Sequence, residues 1–124
     1  MQYRTDTKRV KGLGTAKHGF GHWWMQRLTA VLMIPLGIWF VYSLLSLKNL
    51  APDTIILWLY NPIPALLMAL WTIVAVYHAT LGVQVIIEDY VQSKKLALSL
   101  LVSIKFAMFI MIVVTFFSLF KLVS

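Results

Sequence analysis

Leu28–Leu47 reads LTAVLMIPLGIWFVYSLLSL, twenty residues without a charge. An α-helix of about twenty residues, rising 1.5 Å per residue, crosses a hydrocarbon core of roughly 30 Å. Pro35 lies inside the run. A proline there would break a helix in water, but membrane helices tolerate it because neighbouring groups re-satisfy the freed carbonyl. Trp23 and Trp24 stand just before the run, where an interfacial aromatic anchor belongs. The stretch is therefore read as a first transmembrane helix.

Outward from it the chain repeats the pattern twice. Lys48–Thr54 is a short polar turn, and no charge follows until Glu88. That run is too long for one crossing, and Asn61-Pro62-Ile63-Pro64 divides it, since a proline disfavours helix just before itself. Ile55–Tyr60 is expected to lie at the interface and Pro64–Ile87 to form the second span, closed by Glu88-Asp89-Tyr90. Gln92–Lys95 is the next turn. Leu96–Phe120 is the third span, interrupted only by Lys105. The reading is an all-α membrane protein with three transmembrane helices, 28–47, 64–87 and 96–120. A basic segment, 1–27, precedes them and a short tail, 121–124, follows.

Composition agrees. Of 124 residues, 60% are hydrophobic and 12% charged, and mean hydropathy is +0.83. Soluble domains are nearer half apolar and a quarter charged, and one this small could not hide so much apolar surface. A soluble enzyme and a disordered chain are both excluded. The net charge of +7 is concentrated in the first 27 residues, so membrane topology explains it better than nucleic acid does. With no cysteine, thiolate-ligated iron–sulfur clusters, Cys zinc sites, covalent haem attachment and disulfides are excluded. Gly12, Gly14, Gly19 and Gly21 predict a loop rather than a helix in the later part of residues 1–21. Gly12-x-Gly14 has no strand before it and is not read as a phosphate loop. Met1–Arg27 is long, polar and basic, unlike a secretory signal, so the chain is expected to be retained whole.

Ionisable groups within a membrane are costly to place there and are functional candidates by default. His78 lies nine residues before Ile87, roughly 13–14 Å below the boundary. It could make a helix–helix hydrogen bond or ligate haem iron, and position alone leaves both open. Gly82, one turn on, leaves room for a porphyrin edge or a closely packed helix. Asp89 follows His78 by eleven residues, which returns it to the same helical stripe about 16 Å away, with Tyr90 on another face. A carboxylate beside a phenol could handle protons for a lipid-soluble substrate, although a polar helix end with a belt tyrosine is the simpler reading. Arg27, with His18 and His22, gathers positive charge at the end of the first span. That is ordinary topology-setting charge, or a clamp for anionic groups such as propionates. Lys105, about ten residues into the third span, needs a partner carboxylate or carbonyl and has no assigned role.

Two stretches carry a resemblance. One is His22–Ala30, HWWMQRLTA, followed by Pro35-Leu36 and Trp39; the other is His78–Gly82, HATLG, followed by Glu88–Val91, EDYV. Together they resemble the hydrophobic membrane anchor subunit of succinate dehydrogenase, respiratory complex II, of the alphaproteobacterial and mitochondrial type. The resemblance covers nearly the whole chain. It implies three helices packed with three of a larger cytochrome b-type anchor subunit. The pair would hold a flavoprotein and an iron–sulfur subunit on the cytoplasmic face of the bacterial inner membrane. It further implies that His78 is one axial ligand of a b-type haem shared with that partner. Tyr90 would hydrogen-bond ubiquinone with Asp89 beside it, and Arg27, with His22 in the same region, would approach the haem propionates. Lys105 matches nothing in the pattern.

With one mid-membrane histidine, no cysteine and no flavin or dinucleotide motif, the chain cannot oxidise succinate alone. A fumarate reductase anchor using menaquinone is the nearest alternative. A small transporter or channel subunit would need a polar face along a whole span, and only Ser43, Ser46 and Lys105 offer one. A purely structural assembly factor would leave His78 and Tyr90 silent on mutation.

Three spans put the N-terminal segment and the second loop on one side, with eight Lys and Arg, against Lys48 and Lys121 on the other. The positive-inside rule makes the first side cytoplasmic. A reporter fused after Ser124 is expected to be active only if it works in the periplasm; cytoplasmic activity would overturn the topology.

Overall fold

The computed structural model describes residues 16–124, with the side chains of residues 16–18 and 123 set aside. The basic run Arg4, Lys8, Arg9 and Lys11, the Gly12–Gly14 pair and the side chain of His18 lie outside what is described. Four helices follow in order: α1 (Ala16–Ser46), α2 (Pro52–Tyr60), α3 (Pro62–Tyr90) and α4 (Lys94–Val123). Among the described residues there is no strand. Three helices are long and apolar enough to cross a membrane, over Gly19–Ser46, Pro62–Tyr90 and Lys94–Leu122.

The loop expected through Gly19 and Gly21 is not there. α1 begins at Ala16 and runs 31 residues through both glycines and through Pro35. Neither glycine has a positive φ. Each costs roughly 1 kcal/mol in a helix, too little to stop a cooperative helix that pairs its backbone groups as it nears lipid. The other ends are set by local chemistry. Asn49 Oδ1 accepts from the Ala51 backbone N–H at 3.2 Å and from Thr54 Oγ1 at 2.6 Å, which orders the turn before α2. Asn61 is the pivot between α2 and α3: its backbone N–H closes α2 on Trp58, and its side chain caps α3 by accepting from Ile63 N–H at 3.3 Å. Pro62 follows at the first helical position, where a missing N–H costs nothing.

α3 is the centre of the bundle. It packs on α1 and on α4, while among the described residues α1 and α4 make no backbone approach to each other. All the buried apolar side chains, Ala65, Ala69, Val74, Leu81 and Ile87, belong to α3. Side-chain contacts show that α1 and α3 run antiparallel: Thr29 meets His78, and Phe40 stacks on Trp71 at 5.7 Å. α2 tucks against the far end, where Trp58 stacks on Trp39 at 5.9 Å. Hydroxyls along the spans bond back to carbonyls one turn earlier, as Thr72, Thr80, Ser103 and Thr115 do at 2.8–2.9 Å. Such bonds keep small polar side chains satisfied in hydrocarbon.

Helices in lipid associate by close packing rather than by hydrophobic drive. Gly37 is the most crowded of the described glycines, since a Cβ there would lie 3.3 Å from the Trp71 ring. Gly37→Leu is expected to push α1 off α3 and to lower stability by about 1–3 kcal/mol, the usual cost of overpacking. Gly21→Ala meets nothing within 4 Å and is expected to raise stability slightly by removing the helical penalty of glycine. Thermal unfolding in detergent, followed by tryptophan fluorescence, distinguishes the two; equal stability of Gly37→Leu and the parent would refute the close contact.

Candidate functional site

The half of the bundle holding the start of α1 and the end of α3 carries the chemistry. Trp23, Gln26, Arg27 and Ala30 recur at helical spacing on one face of α1 and, with His78 of α3, line a cavity of about 300 Å3. The Arg27 guanidinium lies 5.5 Å from the centre of the Trp23 ring, a cation–π contact that orients it at the rim. Phe20 stacks on the other part of this cluster, 6.4 Å from Trp23. The sequence-predicted pair His78 and Arg27 therefore shares one cavity.

Behind the cavity, His78 Nδ1 lies 2.9 Å from Thr29 Oγ1. Thr29 is 5% exposed and is the buried polar residue of the described chain. Its hydroxyl also bonds the carbonyls of Met25 at 2.8 Å and Gln26 at 3.1 Å. Among the described residues the His78 ring makes its hydrogen bond through Nδ1 and none through Nε2. Gly82, one turn from His78, faces the same helix without crowding it: an added Cβ would lie 3.9 Å from Gln26 Nε2. The missing side chain is thus not required for α1 to approach, and it leaves free space beside His78.

His22 is not brought together with Arg27. It lines a second cavity of about 390 Å3 between α1 and α4, floored by α3, with Tyr77, Thr80, Gln84 and Lys105. Five residues on an α-helix turn through about 500°, which puts the two side chains 140° apart. His22 Nε2 is buried there without a partner in the described structure. Lys105 projects into the same space, so it does not face lipid alone.

Asp89 and Tyr90 are the last residues of α3, and both are exposed, Tyr90 to 82%. The helix is continuous from His78 to Tyr90, so the condition for His78 and Asp89 to share a stripe is met. Neither Asp89 nor Tyr90 lines the His78 cavity. Glu88 is held by Gln84, whose Nε2 donates to Oε1 at 2.8 Å. No group of three or more metal-ligating side chains occurs among the described residues.

Sequence reasoning quoted Thr29 within its motif and gave it no role. Nothing local could have done so, because the partner is 49 residues away and the register between two helices is not written in either. The separation of His22 from Arg27 was available from helical periodicity once α1 was known to be helical at residue 22.

Residues 1–119 match the model of the family described as Succinate dehydrogenase/Fumarate reductase transmembrane subunit. The succinate dehydrogenase hydrophobic membrane anchor subunit of Rickettsia bellii is 37% identical over 103 residues, 83% of this chain and 82% of its own length. That of Rickettsia conorii is 31% identical over 119 residues, covering 95% and 94%. That of Paracoccus denitrificans is 33% identical over 92 residues, covering 74% and 71%. No solved structure matches the chain. Three apolar helices with α3 at their centre, matched over most of the chain by these anchors, make this chain a member of the succinate dehydrogenase membrane anchor subunit family.

Proposed function

We propose that this chain anchors a succinate dehydrogenase in the bacterial inner membrane and helps pass electrons from succinate to ubiquinone. Its N-terminus is cytoplasmic and its C-terminus periplasmic. Its partners are a larger cytochrome b-type anchor subunit, an iron–sulfur subunit and a flavoprotein subunit. His78 would ligate the iron of a b-type haem shared with the larger anchor, which would supply a second ligand.

The observation that carries this reading is the placing of His78. It stands deep in a span, its Nδ1 is engaged by Thr29, and its Nε2 is left without a partner beside a cavity that also holds Arg27. The residues fit the group. A neutral imidazole bonded at one nitrogen is free to ligate at the other, the planar guanidinium suits a propionate, and the space beside Gly82 is clear. The chemistry a haem supplies here is a one-electron couple. His22, in the other cavity, is not assigned to the propionates.

Tyr90 and Asp89 serve the quinone. Their exposure at the end of α3 suits a site completed by other subunits. The Tyr90 phenol donates to a quinone carbonyl oxygen, and this bond strengthens as negative charge develops on that oxygen during reduction. Asp89 can hold a proton on the cytoplasmic side. The succinate dehydrogenase reading is favoured over the fumarate reductase one because these relatives are named as succinate dehydrogenase anchors.

His78→Ala is expected to remove or alter the low-spin b-type spectrum of the assembled complex, because the iron loses one imidazole. An unchanged low-spin spectrum would make His78 a packing residue. Tyr90→Phe keeps the ring and removes one donor, worth on the order of 3 kcal/mol in a transition state. Quinone reduction is expected to fall about a hundredfold, while succinate oxidation with a water-soluble acceptor stays near normal. Unmodified quinone reduction by an assembled variant would place the quinone site elsewhere.

A further inference from the structure

We infer that Thr29 is a positioning residue that fixes the tautomer of His78, holding the ring proton on Nδ1 and presenting a bare Nε2 to the cavity; this rests on the reading of His78 as a haem ligand. The inference comes from counting one proton. Thr29 Oγ1 has a single hydrogen and three polar neighbours: the Met25 carbonyl at 2.8 Å, the Gln26 carbonyl at 3.1 Å and His78 Nδ1 at 2.9 Å. The two carbonyls can only accept. If the hydroxyl donated to Nδ1, two carbonyl oxygens would face its lone pairs at hydrogen-bond distance with no proton between. Thr29 is buried, so water is not there to relieve that repulsion. The arrangement that satisfies all four groups shares the hydroxyl proton between the carbonyls and has the imidazole N–H donate to Oγ1. Nδ1 is then protonated, and Nε2 carries the lone pair.

The consequence is directional. The ring cannot turn without giving up a buried hydrogen bond, so Nε2 is aimed before any ligand arrives. The Nδ1–H donation also strengthens Nε2 as an electron-pair donor to a metal, as outer partners of metal-bound histidines do. A stronger donor favours ferric over ferrous iron. Gln26, whose carbonyl shares the Thr29 proton and whose side chain reaches toward Gly82, belongs to the same arrangement through its backbone.

The test compares Thr29→Val, Thr29→Ala and Thr29→Ser in the assembled complex by optical redox titration and low-temperature spectra of the haem. The hydroxyl-free variants are expected to keep a low-spin spectrum and to lose about tenfold of the ferric preference. That is an upward shift of about 59 mV for a one-electron couple. Thr29→Ser, which keeps the hydroxyl, is expected to stay near the parent potential. A shift in Thr29→Ser equal to the others, no shift in any of them, or failure of both hydroxyl-free variants to assemble would each overturn the tautomer role in favour of packing. The parallel His78→Ala spectrum separates the two levels. If it is unchanged, the ligand reading itself falls; if it is lost while the Thr29 variants keep the parent potential, only the inference about Thr29 falls.

Discussion

Every backbone N–H and C=O that enters hydrocarbon must find its partner within the protein, and the rest of this structure follows from that requirement. It explains why α1 runs on through Gly19, Gly21 and Pro35 when each of these would mark a boundary in water. It explains the back-bonded hydroxyls of Thr72, Thr80, Ser103 and Thr115. It also confines the irregular backbone to the turns, where Asn49 and Asn61 supply side-chain acceptors for the exposed amides. Once the helices are complete, lipid is as good a neighbour for leucine as another leucine is. What fixes one helix against the next is therefore a handful of specific contacts.

Two such contacts join α1 to α3, and they differ in kind. At Gly37 the join is steric, a missing side chain filled by the Trp71 ring. At Thr29 it is polar, a buried hydroxyl bonded to His78. Between them they set the depth of His78 relative to Arg27 without any large apolar core. Among the described residues only α3 has buried apolar side chains, and none of α4 is buried. A chain so little buried in itself exposes long apolar faces that suit lipid and the helices of a companion subunit alike. Membership of an anchor family whose name speaks of a larger enzyme gives those faces a reason to exist.

The spans could be read from the sequence because the signal is one of length and composition, local to each run. Leu28–Ser46 and the apolar run before Phe120 lie within helices, and the break at Asn61 falls between two of them. The glycines at 19 and 21 misled because propensity is weak beside the demand for paired backbone groups. His78 and Arg27 could be singled out because charge and imidazole are rare in such company, and the structure sets them around one cavity. Thr29 could not be found, since threonine is common in spans and its meaning depends on which residue of another helix stands opposite. Lys105 stays without a role in either reading. The structure adds that it shares a cavity with an unpartnered His22 nitrogen.

A single imidazole cannot complete an octahedral haem iron with two nitrogen ligands, and the tautomer argument sharpens what that implies for assembly. On the proposed reading, the folded chain would have its proton placed and its ligand nitrogen aimed before any partner arrives, because the acceptor for Nδ1–H is in the same chain. The orientation cost is thus met during folding rather than during cofactor capture, which is how preorganisation raises affinity. Such a site would still need a second ligand and an opposite wall from another subunit. A cofactor bridging two such half-sites binds each half more weakly than the pair, so its retention depends on both anchors being present. The same contact that orients one imidazole in this chain would therefore make such a joint site selective for the assembled bundle.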